Sequence, residues 1–311
     1  WRHRTPYPPV LVPRYLRLPV KERIDRHGRE HAPLDLASVR DALAAFETEG
    51  VDSIAICLLN SYLNPSHEQE VGRLVRASAR GRWVSVSSEI APIAGEYVRV
   101  STTVIDAYVA PRLVEYLRNL ADILARRGLV PPMLLVKNNG GTAAIDEVAR
   151  EPVTLTLSGP AAAVGALRHF GNALGHHNLI SIEIGGTSCD VLVMAEGEIA
   201  ITDRLSIAGY DTVIPSVDIH TVGAGGGALA SVDPAGVLTV GPQGAGASPG
   251  PVCYRRGGTE PTVTDASLIL GFLNPGYFLG GQIGLDVAGA REAIRTKVAE
   301  PLGMTVTEAA S

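Results

Sequence analysis

The first clear pattern along the chain is helical and lies between residues 36 and 49. Its apolar residues recur at three- and four-residue spacing, as on one face of a helix: Val39, Leu43, Ala44 and Phe46. Asp35 stands where a helix N-cap belongs, and Gly50 stands where a left-handed residue can end a helix. The spacing therefore predicts a helix over 36–49.

The next residues alternate between strand and helix patterns. Residues 51–59 form a short run rich in β-branched side chains, Ser66 can cap a second helix, and residues 83–87 alternate as a strand. Alternating strands and helices favour an α/β fold with a parallel or mixed sheet.

A long helical pattern runs over residues 96–127. Pro111 interrupts this pattern, and proline is tolerated best in the first turn of a helix. We therefore predict two consecutive helices, the second beginning near Pro111 and ending at Gly128.

Three short elements and a helix of small residues come next. Residues 133–136 have a strand pattern, the pair Asn139-Gly140 predicts a tight turn with positive φ, and residues 152–157 have a second strand pattern. A helix over 160–174 then begins with small residues: Ala161, Ala162, Ala163, Gly165 and Ala166. Such a bare helix can approach a neighbour closely, which suits a crossing between two lobes.

A strand pair with an unusual turn follows this helix. Residues 179–184 and 191–195 have strand patterns, and the turn between them contains Gly185-Gly186. A second turn at Glu196-Gly197 predicts that the hairpin continues over 199–202.

Composition narrows the classes of protein. The 311 residues are 46% hydrophobic and 19% charged, enough for two lobes with full cores. No apolar run approaches the roughly 20 residues of a membrane helix, which argues against a membrane protein. The net charge is −5, and residues 151–311 hold 7 Lys and Arg against 15 Asp and Glu, which argues against a nucleic-acid partner.

Cysteine usage points to a reducing compartment. Cys57, Cys189 and Cys253 are odd in number, lie far apart and form no Cys-x-x-Cys pair. This pattern supports neither a disulfide framework nor a structural zinc site, and we expect the cytoplasm. The chain opens at Trp1 without methionine, and we expect it to be a piece of a longer protein.

The sharpest candidate for chemistry is the turn at Gly185-Gly186. The strand before it delivers Glu183, Thr187 and Ser188 add hydroxyls, and Asp190 begins the return strand. Backbone N–H groups in a glycine turn make an anion site, and a nearby carboxylate can hold Mg²⁺. The pattern is neither a Walker loop, because no Gly-Lys-Ser/Thr follows, nor a Rossmann turn, because a strand comes next. The alternative is an ordinary glycine hairpin.

Two further segments are rich in glycine. The first carries four glycines after a strand: Gly223, Gly225, Gly226 and Gly227. Because glycine has no side chain, these residues allow the backbone to approach a ligand closely. A flexible loop is an equal alternative. In the second, residues 241–265, alternating glycine and proline fix rigid turns, which we interpret as architecture rather than a substrate wall. Across 209–281 we expect loops, short strands and one helix, near 265–273.

Histidine and cysteine offer weaker candidates. His176 and His177 are adjacent and therefore point apart, which suits the surface rather than a metal site. His220 is the one histidine kept as a candidate, with a hydrogen-bonded structural imidazole as the preferred alternative. Cys189 has no basic neighbour in sequence to activate its thiol, so a small buried side chain is expected.

Seven segments together resemble the hydantoinase A / 5-oxoprolinase family. They are residues 101–108, 158–161, 184–190, 221–227, 240–242, 250–254 and 261–266. Two positions depart from the family pattern: Glu183 stands where the family usually carries Asp, and Cys189 stands where Thr is common.

The resemblance implies an α/β fold of the actin-like ATPase and sugar-kinase type, which is ribonuclease H-like and has two lobes. Residues 1–175, including the connecting helix 160–174, would belong to the first lobe, and residues 176–311 would begin the second. The hairpin at 185–190 corresponds to the second phosphate loop. The first phosphate loop and the glycine pair that cradles adenosine would lie before and after this chain, leaving the fold incomplete at both ends.

The resemblance also implies an activity. ATP and Mg²⁺ would be used to open a cyclic amide, such as a hydantoin or 5-oxoproline, by phosphorylating its amide oxygen. Asp190 and Glu183 would be catalytic, with Asp190 toward Mg²⁺. The nucleotide would be bound by two turns: Gly185, Gly186, Thr187, Ser188, Gly223, Gly225, Gly226 and Gly227. A B-type partner subunit and an oligomer are expected.

Two alternatives to this activity stay open at the sequence level. The same site suits an ATP-dependent ketone carboxylase of the acetone carboxylase kind. A non-catalytic nucleotide-binding or scaffold protein is the other alternative, since Glu183 departs from the family pattern.

Overall fold

A computed structural model describes residues 10–78, 81–129 and 132–311, so the first nine residues of the predicted first lobe lie outside the described residues. The fold is mixed α/β. The strands, in chain order, are β1 (Arg23–Ile24), β2 (Glu30–Ala32), β3 (Ser53–Ile56), β4 (Trp83–Val86), β5 (Leu134–Val136), β6 (Thr142–Ala144), β7 (Leu179–Ile184), β8 (Cys189–Ala195), β9 (Glu198–Ile199), β10 (Ile201–Thr202), β11 (Leu205–Ile207), β12 (Tyr210–Thr212), β13 (Ser216–Val217), β14 (Ile219–Val222), β15 (Ala228–Val232) and β16 (Leu238–Gly244).

The α-helices are α1 (Leu36–Thr48), α2 (Ser66–Ser78), α3 (Ser87–Ile90), α4 (Glu96–Arg126), α5 (Ile145–Val148), α6 (Ser158–Ala161), α7 (Ala163–Leu174), α8 (Val263–Ile269), α9 (Val287–Ile294), α10 (Glu300–Leu302) and α11 (Val306–Ala310). Short 3-10 helices lie at Arg14–Leu16, Pro152–Leu155 and Val252–Tyr254, and a π-helical turn lies at Arg295–Ala299. Within the described residues, no helix is both long enough and apolar enough to cross a bilayer.

The chain divides into two compact units. The first comprises Trp1–Ala166 and Ile199–Asp218, and the second comprises Leu167–Glu198 and Ile219–Ser311. The division falls inside α7, close to the predicted connection, and residues 199–218 return to the first unit. The assignment of residues 1–175 and 176–311 to two lobes stays a prediction.

The first unit contains the predicted parallel strand pair. β3 and β4 pair in parallel, with Ile54 opposite Val84. Asp35 caps α1 as predicted, its carboxylate accepting from the N–H of Ala37. The second helix begins at Ser66, so the predicted cap residue is instead the first helical residue, and its N–H donates to the Asn64 side chain at 3.1 Å. The predicted strand 83–87 ends at Val86, since Ser87 opens α3.

The long helix α4 corrects the prediction of two helices. It runs unbroken from Glu96 to Arg126, with Pro111 in its interior. An interior proline costs about 3 kcal/mol, but side chains on both sides of it are buried. These are Ile105, Ala107, Ala110, Val114 and Leu117. Their burial outweighs the lost hydrogen bond, and the helix ends, as predicted, before Gly128 with φ +85°.

The predicted strand 152–157 is wrong, because residues 152–155 form a 3-10 helix. The carboxylate of Asp106, which is fully buried, accepts the N–H of Val153 at 3.0 Å and so removes a donor that a strand would need. Burial raises the pKa of Asp106, against the opposing effect of its hydrogen bonds from Ser85 and Val153. The turn at Asn139-Gly140 is confirmed, with Gly140 at φ +79° between β5 and β6.

The second unit contains the predicted hairpin. β7 and β8 pair antiparallel from Leu179 opposite Met194 to Ile184 opposite Cys189, and β14 pairs along the other edge of β8. The predicted continuation over 199–202 is confirmed only at its start, since β9 pairs with β8 whereas β10 pairs with β13.

Helix α7 lies against one face of this hairpin. A Cβ on Gly171 would lie 2.8 Å from the methyl carbon of Met194, so the bare residue that permits close approach is Gly171. The predicted contact residue Gly165 has open space beside it. The helix also begins earlier than the predicted residue 160, as the separate turn α6, and restarts at Ala163.

The two faces of the hairpin differ sharply in character. Leu192 and Met194 are buried on the face that α7 covers, and Glu183 and Asp190 share that face by the alternation of the strands. The opposite face presents exposed aliphatic side chains: Ile180, Ile182, Ile184, Val193 and Val222. We call this the open apolar face. Cys189 lies on it, half-buried.

An apolar cavity of about 980 Å³ lies in the first unit. Residues from Ser53 to Leu59 line it, together with Val39, Leu43 and Phe46. Among the described residues β3 pairs only with β4, and an edge strand beside apolar side chains is a site where a further strand can add.

The imidazole of His67 in the first unit is held between two carboxylates. Its Nδ1 lies 2.9 Å from Glu22 and its Nε2 lies 3.0 Å from Glu30, and the His67 and Glu22 side chains are only 7% and 5% exposed. Both contacts are hydrogen bonds only when both nitrogens carry protons. Burial opposes the charge, but the hydrogen bonds that the imidazole donates to Glu22 and Glu30 outweigh it and raise the pKa of His67.

We therefore expect the first unit to lose stability as pH rises. A pKa that is higher in the folded state gives stability that is complete below the unfolded value of about 6.5 and is lost as pH rises through the folded value. His67→Gln, which cannot titrate, removes this dependence. Thermal unfolding from pH 5.5 to 8.5 checks it, with the exposed His31→Gln as control. An unchanged pH dependence in His67→Gln contradicts the expectation.

Candidate functional site

The hairpin turn from Gly185 to Ser188 is held by a second loop. The turn closes with the N–H of Gly185 donating to the Ser188 carbonyl at 2.9 Å. Two carbonyls of the turn accept from the loop after β14: the Gly226 N–H donates to Gly185 O at 2.8 Å, and the Gly227 N–H donates to Gly186 O at 2.7 Å. These two bonds fix two successive peptide planes of the turn.

The fixed planes determine where the turn amides point. In a trans peptide the C=O and the next N–H point in opposite directions. Since the carbonyls of Gly185 and Gly186 point toward the loop, the N–H groups of Gly186 and Thr187 point away from it. Neither N–H donates to any other part of the described chain, and a Cβ on Gly186 would meet nothing within 4 Å. Two adjacent outward amides form a small anion-binding concavity.

The carboxylates of the site lie beside this turn on one sheet face. Glu183 is directly opposite Asp190 on β7, and Thr221 is opposite Asp190 on β14. Opposed side chains in an antiparallel pair have Cβ atoms about 4.5–5.5 Å apart, where two like charges destabilise each other. The arrangement therefore suits a bound cation.

Asp190 is oriented by two hydroxyls. The hydroxyl of Thr221 donates to its Oδ1 at 2.6 Å, and the hydroxyl of Ser188 donates to its Oδ2 at 3.2 Å. The carboxylate is half-buried, whereas Glu183 is exposed. Among the described residues no three His, Cys, Asp or Glu side chains group as a metal site, so any cation here would take further ligands from a substrate or water.

The second glycine cluster packs against the turn. A Cβ on Gly225 would lie 2.6 Å from Ser188 N, and a Cβ on Gly227 would lie 2.8 Å from Gly186 O. A Cβ on Gly223 would lie 3.1 Å from a ring carbon of Pro242. The missing side chains thus permit backbone to pack on backbone. The structure brings both predicted glycine turns together.

The weaker candidates lie apart from the carboxylates. His220 is opposite Val191 and Cys189 is opposite Val222, so the alternation of the strands places both on the open apolar face. His220 is exposed. His176 and His177 are exposed as expected, at the start of the hairpin.

The sequence predicted only rigid turns for the segment around Asp265. In the structure, Asp265 fixes the start of α8 through hydrogen bonds to backbone N–H groups. Asp265 is fully buried and accepts the N–H groups of Cys253 and Thr262 at 2.8 and 2.9 Å. Thr262 and Asp265 form a capping box, so α8 starts at Val263. Burial, and then the charge of Asp265, raise the pKa of the Cys253 thiol. The signal that was available was Thr-x-x-Asp before an apolar run.

Comparisons with known proteins agree with the resemblance. A family model described as Hydantoinase/oxoprolinase matches residues 99–311, and one described as Hydantoinase/oxoprolinase N-terminal region matches residues 3–79. The chain is 40% identical to the caprolactamase subunit alpha of Pseudomonas jessenii, over 99% of this chain and 45% of that protein. It is 35% identical to 5-oxoprolinase 1 of Arabidopsis thaliana, over 84% of this chain and 21% of that protein.

Solved structures match along nearly the whole chain. A nucleotide-free acetone carboxylase structure, from work on ATP-dependent acetone carboxylation, matches with a TM-score of 0.81 and 33% identity, over 99% of this chain and 44% of that chain. The ATP-dependent caprolactamase of Pseudomonas jessenii matches with a TM-score of 0.77 and 39% identity, over 99% and 44%. This chain spans less than half the length of these relatives. It belongs to the hydantoinase/oxoprolinase family.

Proposed function

We propose that this chain carries a phosphate-binding turn of an ATP-dependent enzyme that opens a cyclic amide. The observation that carries the proposal is the pair of outward amides of Gly186 and Thr187 beside the opposed carboxylates of Glu183 and Asp190. Related proteins named caprolactamase and 5-oxoprolinase support the reaction class. We infer an actin-like fold, in which a second phosphate loop would correspond to this hairpin.

The residues present fit a magnesium–phosphate group. The Gly186 and Thr187 amides offer two donors to phosphate oxygens, which gain strength when the acceptor is charged. Asp190, oriented by Thr221 and Ser188, offers carboxylate oxygen to Mg²⁺ or to its bound water. When bound, ATP would supply a phosphoryl group to the amide oxygen, which would make the amide carbon an electrophile that water can attack, so that the ring C–N bond can then break.

The chain's own residues would contribute positioning and charge balance. Phosphoryl transfer needs in-line placement of the reacting groups and neutralisation of developing negative charge. Preformed N–H donors reach that charge without reorganising, because the bonds from Gly226 and Gly227 already fix them. Glu183, opposite Asp190 on the same sheet face, would add negative charge next to the bound cation.

A second candidate is the ATP-dependent carboxylation of a ketone. The acetone carboxylase structure matches this chain with a TM-score of 0.81, against 0.77 for the caprolactamase, so the fold favours neither branch. Several relatives are named as subunits, among them acetophenone carboxylase gamma. We therefore propose a multi-subunit enzyme with a B-type partner. From the cysteine pattern, we also propose that this enzyme is cytoplasmic. Phosphate release assayed with hydantoin, 5-oxoproline, a larger lactam, and acetone together with bicarbonate separates the two branches.

We expect Asp190→Asn to lower ATP turnover at least about hundredfold in the assembled enzyme, the cost of losing one preorganised electrostatic contact. The change keeps the shape and the bond from Thr221, and the Ser188 hydroxyl can accept from the new amide nitrogen, so folding is retained. The measurement is phosphate release, with thermal unfolding alongside. Asp203→Asn, an exposed carboxylate elsewhere, serves as the matched control. Full turnover in Asp190→Asn would show that the turn is an ordinary glycine hairpin without a role in catalysis.

A further inference from the structure

A threonine outside the turn is bonded to the loop that holds it. Thr264, in the first turn of α8, donates twice to the carbonyl of Gly226, from its backbone N–H at 2.8 Å and from its hydroxyl at 2.8 Å. The side chain is half-buried. A carbonyl that accepts two donors from one residue is fixed in direction as well as in place.

Thr264 is itself held firmly. The capping box of Thr262 and Asp265 closes around it, and the Asp265 carboxylate also accepts from the backbone of Val252 and Cys253. Thr262 and Asp265 are 1% and 0% exposed. The start of α8 is therefore a rigid base on which Thr264 stands.

The bonds continue from Gly226 into the turn. The Gly226 N–H donates to Gly185 O, and the Gly227 N–H donates to Gly186 O. A Cβ on Gly226 would lie 3.0 Å from the Thr264 hydroxyl oxygen, so a side chain there would crowd this contact. The path from α8 to the outward amides thus has two steps: Thr264 holds the peptide that carries the Gly226 carbonyl and the Gly227 N–H, and that N–H donates to Gly186 O.

We propose that Thr264 is a positioning residue for the phosphate turn, which it orients through Gly226 for a phosphate group of the nucleotide. The proposal rests on the proposed function for its ligand. Its hydrogen-bond path stands on the structure alone. Loss of the hydroxyl leaves the Gly226 carbonyl with a single donor and loosens the planes that aim the Gly186 and Thr187 amides.

The first test is hydrogen exchange on the chain in Thr264→Val, which keeps the shape and the backbone donor, and in Thr264→Ser, which keeps the hydroxyl. One hydrogen bond is worth about 1 kcal/mol, so Thr264→Val speeds exchange of the Gly226 and Gly227 amides about fivefold to tenfold. Thr264→Ser stays near the parent rate. Thr259→Val, at an exposed threonine, gives the background.

The second test is steady-state turnover in the assembled enzyme. Thr264→Val raises KM for Mg·ATP about fivefold to tenfold, by the same bond, while KM for the cyclic amide stays unchanged, and Thr264→Ser restores the parent value. Unchanged exchange in Thr264→Val overturns the positioning role, whatever the turnover. Faster exchange with an unchanged KM for ATP instead overturns the nucleotide assignment of the turn, and with it the proposed function.

Discussion

Replacing Arg99 by methionine will lower the free energy of unfolding of the first unit by about 3–5 kcal/mol, the cost of breaking a buried charge network. Arg99 and Glu68 are both 0% exposed. The guanidinium donates to the Leu58 carbonyl at 2.8 Å and to the Ser87 hydroxyl at 3.1 Å, and it also bonds Ser61 and Glu96.

Ser87 connects the two buried charges. Its hydroxyl donates to a Glu68 oxygen at 2.6 Å, and Glu68 also accepts the N–H groups of Leu58 and Ser88 at 2.6 and 2.8 Å. Without Arg99, the buried Glu68 carboxylate loses the cation that is linked to it through Ser87. The penalty is large because the surviving charge, not the lost contact, dominates the cost.

Urea unfolding followed by Trp83 fluorescence measures this change, in a Trp1→Phe background because the chain has 2 tryptophans. Arg112→Met is the matched control, since Arg112 is exposed on the same helix. We expect the control to change stability by no more than about 0.5 kcal/mol. Equal effects of the two substitutions would show that the buried network adds little.

Gly225→Ala will disrupt the packing of the second loop on the turn, at a cost of about 3 kcal/mol in the second unit. The added methyl would lie 2.6 Å from both Ser188 N and Thr187 C, and backbone on both sides leaves it no side chain to displace. We expect hydrogen exchange over residues 183–190 and 221–228 to accelerate strongly.

Gly186→Ala is the contrasting variant. Open space surrounds its added methyl, so the stability of the second unit stays within about 1 kcal/mol of the parent. The pair separates glycines needed for packing from a glycine that faces outward. Wild-type exchange in Gly225→Ala would mean that the two loops do not pack as described.

Local signals in the sequence predicted the elements whose reasons are local. The hairpin 179–195, the cap at Asp35 and the turn at Gly140 each depend on neighbours within a few residues, and all three are confirmed. Pro111 and residues 152–157 were misassigned because distant burial and the Asp106 carboxylate decide them. Propensity alone carries no information about such contacts.

The site divides in the same way. Glu183, Gly185 and Asp190 form one continuous pattern, so their adjacency was predictable. The contact of Thr264 with Gly226 spans 38 residues and has no local signature. Gly225 was noticed as bare, and the structure shows that it packs against the backbone of the turn.

The position of Cys189 on the open apolar face gives the chain a built-in attachment point. Burial raises the pKa of Cys57 to about 12, and burial is also the main cause that raises the pKa of Cys253. Thiols with a raised pKa react poorly. Maleimide dyes and spin labels will therefore react first with Cys189. This residue is adjacent to Asp190 in β8, but its side chain lies on the opposite face of the sheet. A reporter there senses movement of the turn without occupying the side where the carboxylates stand.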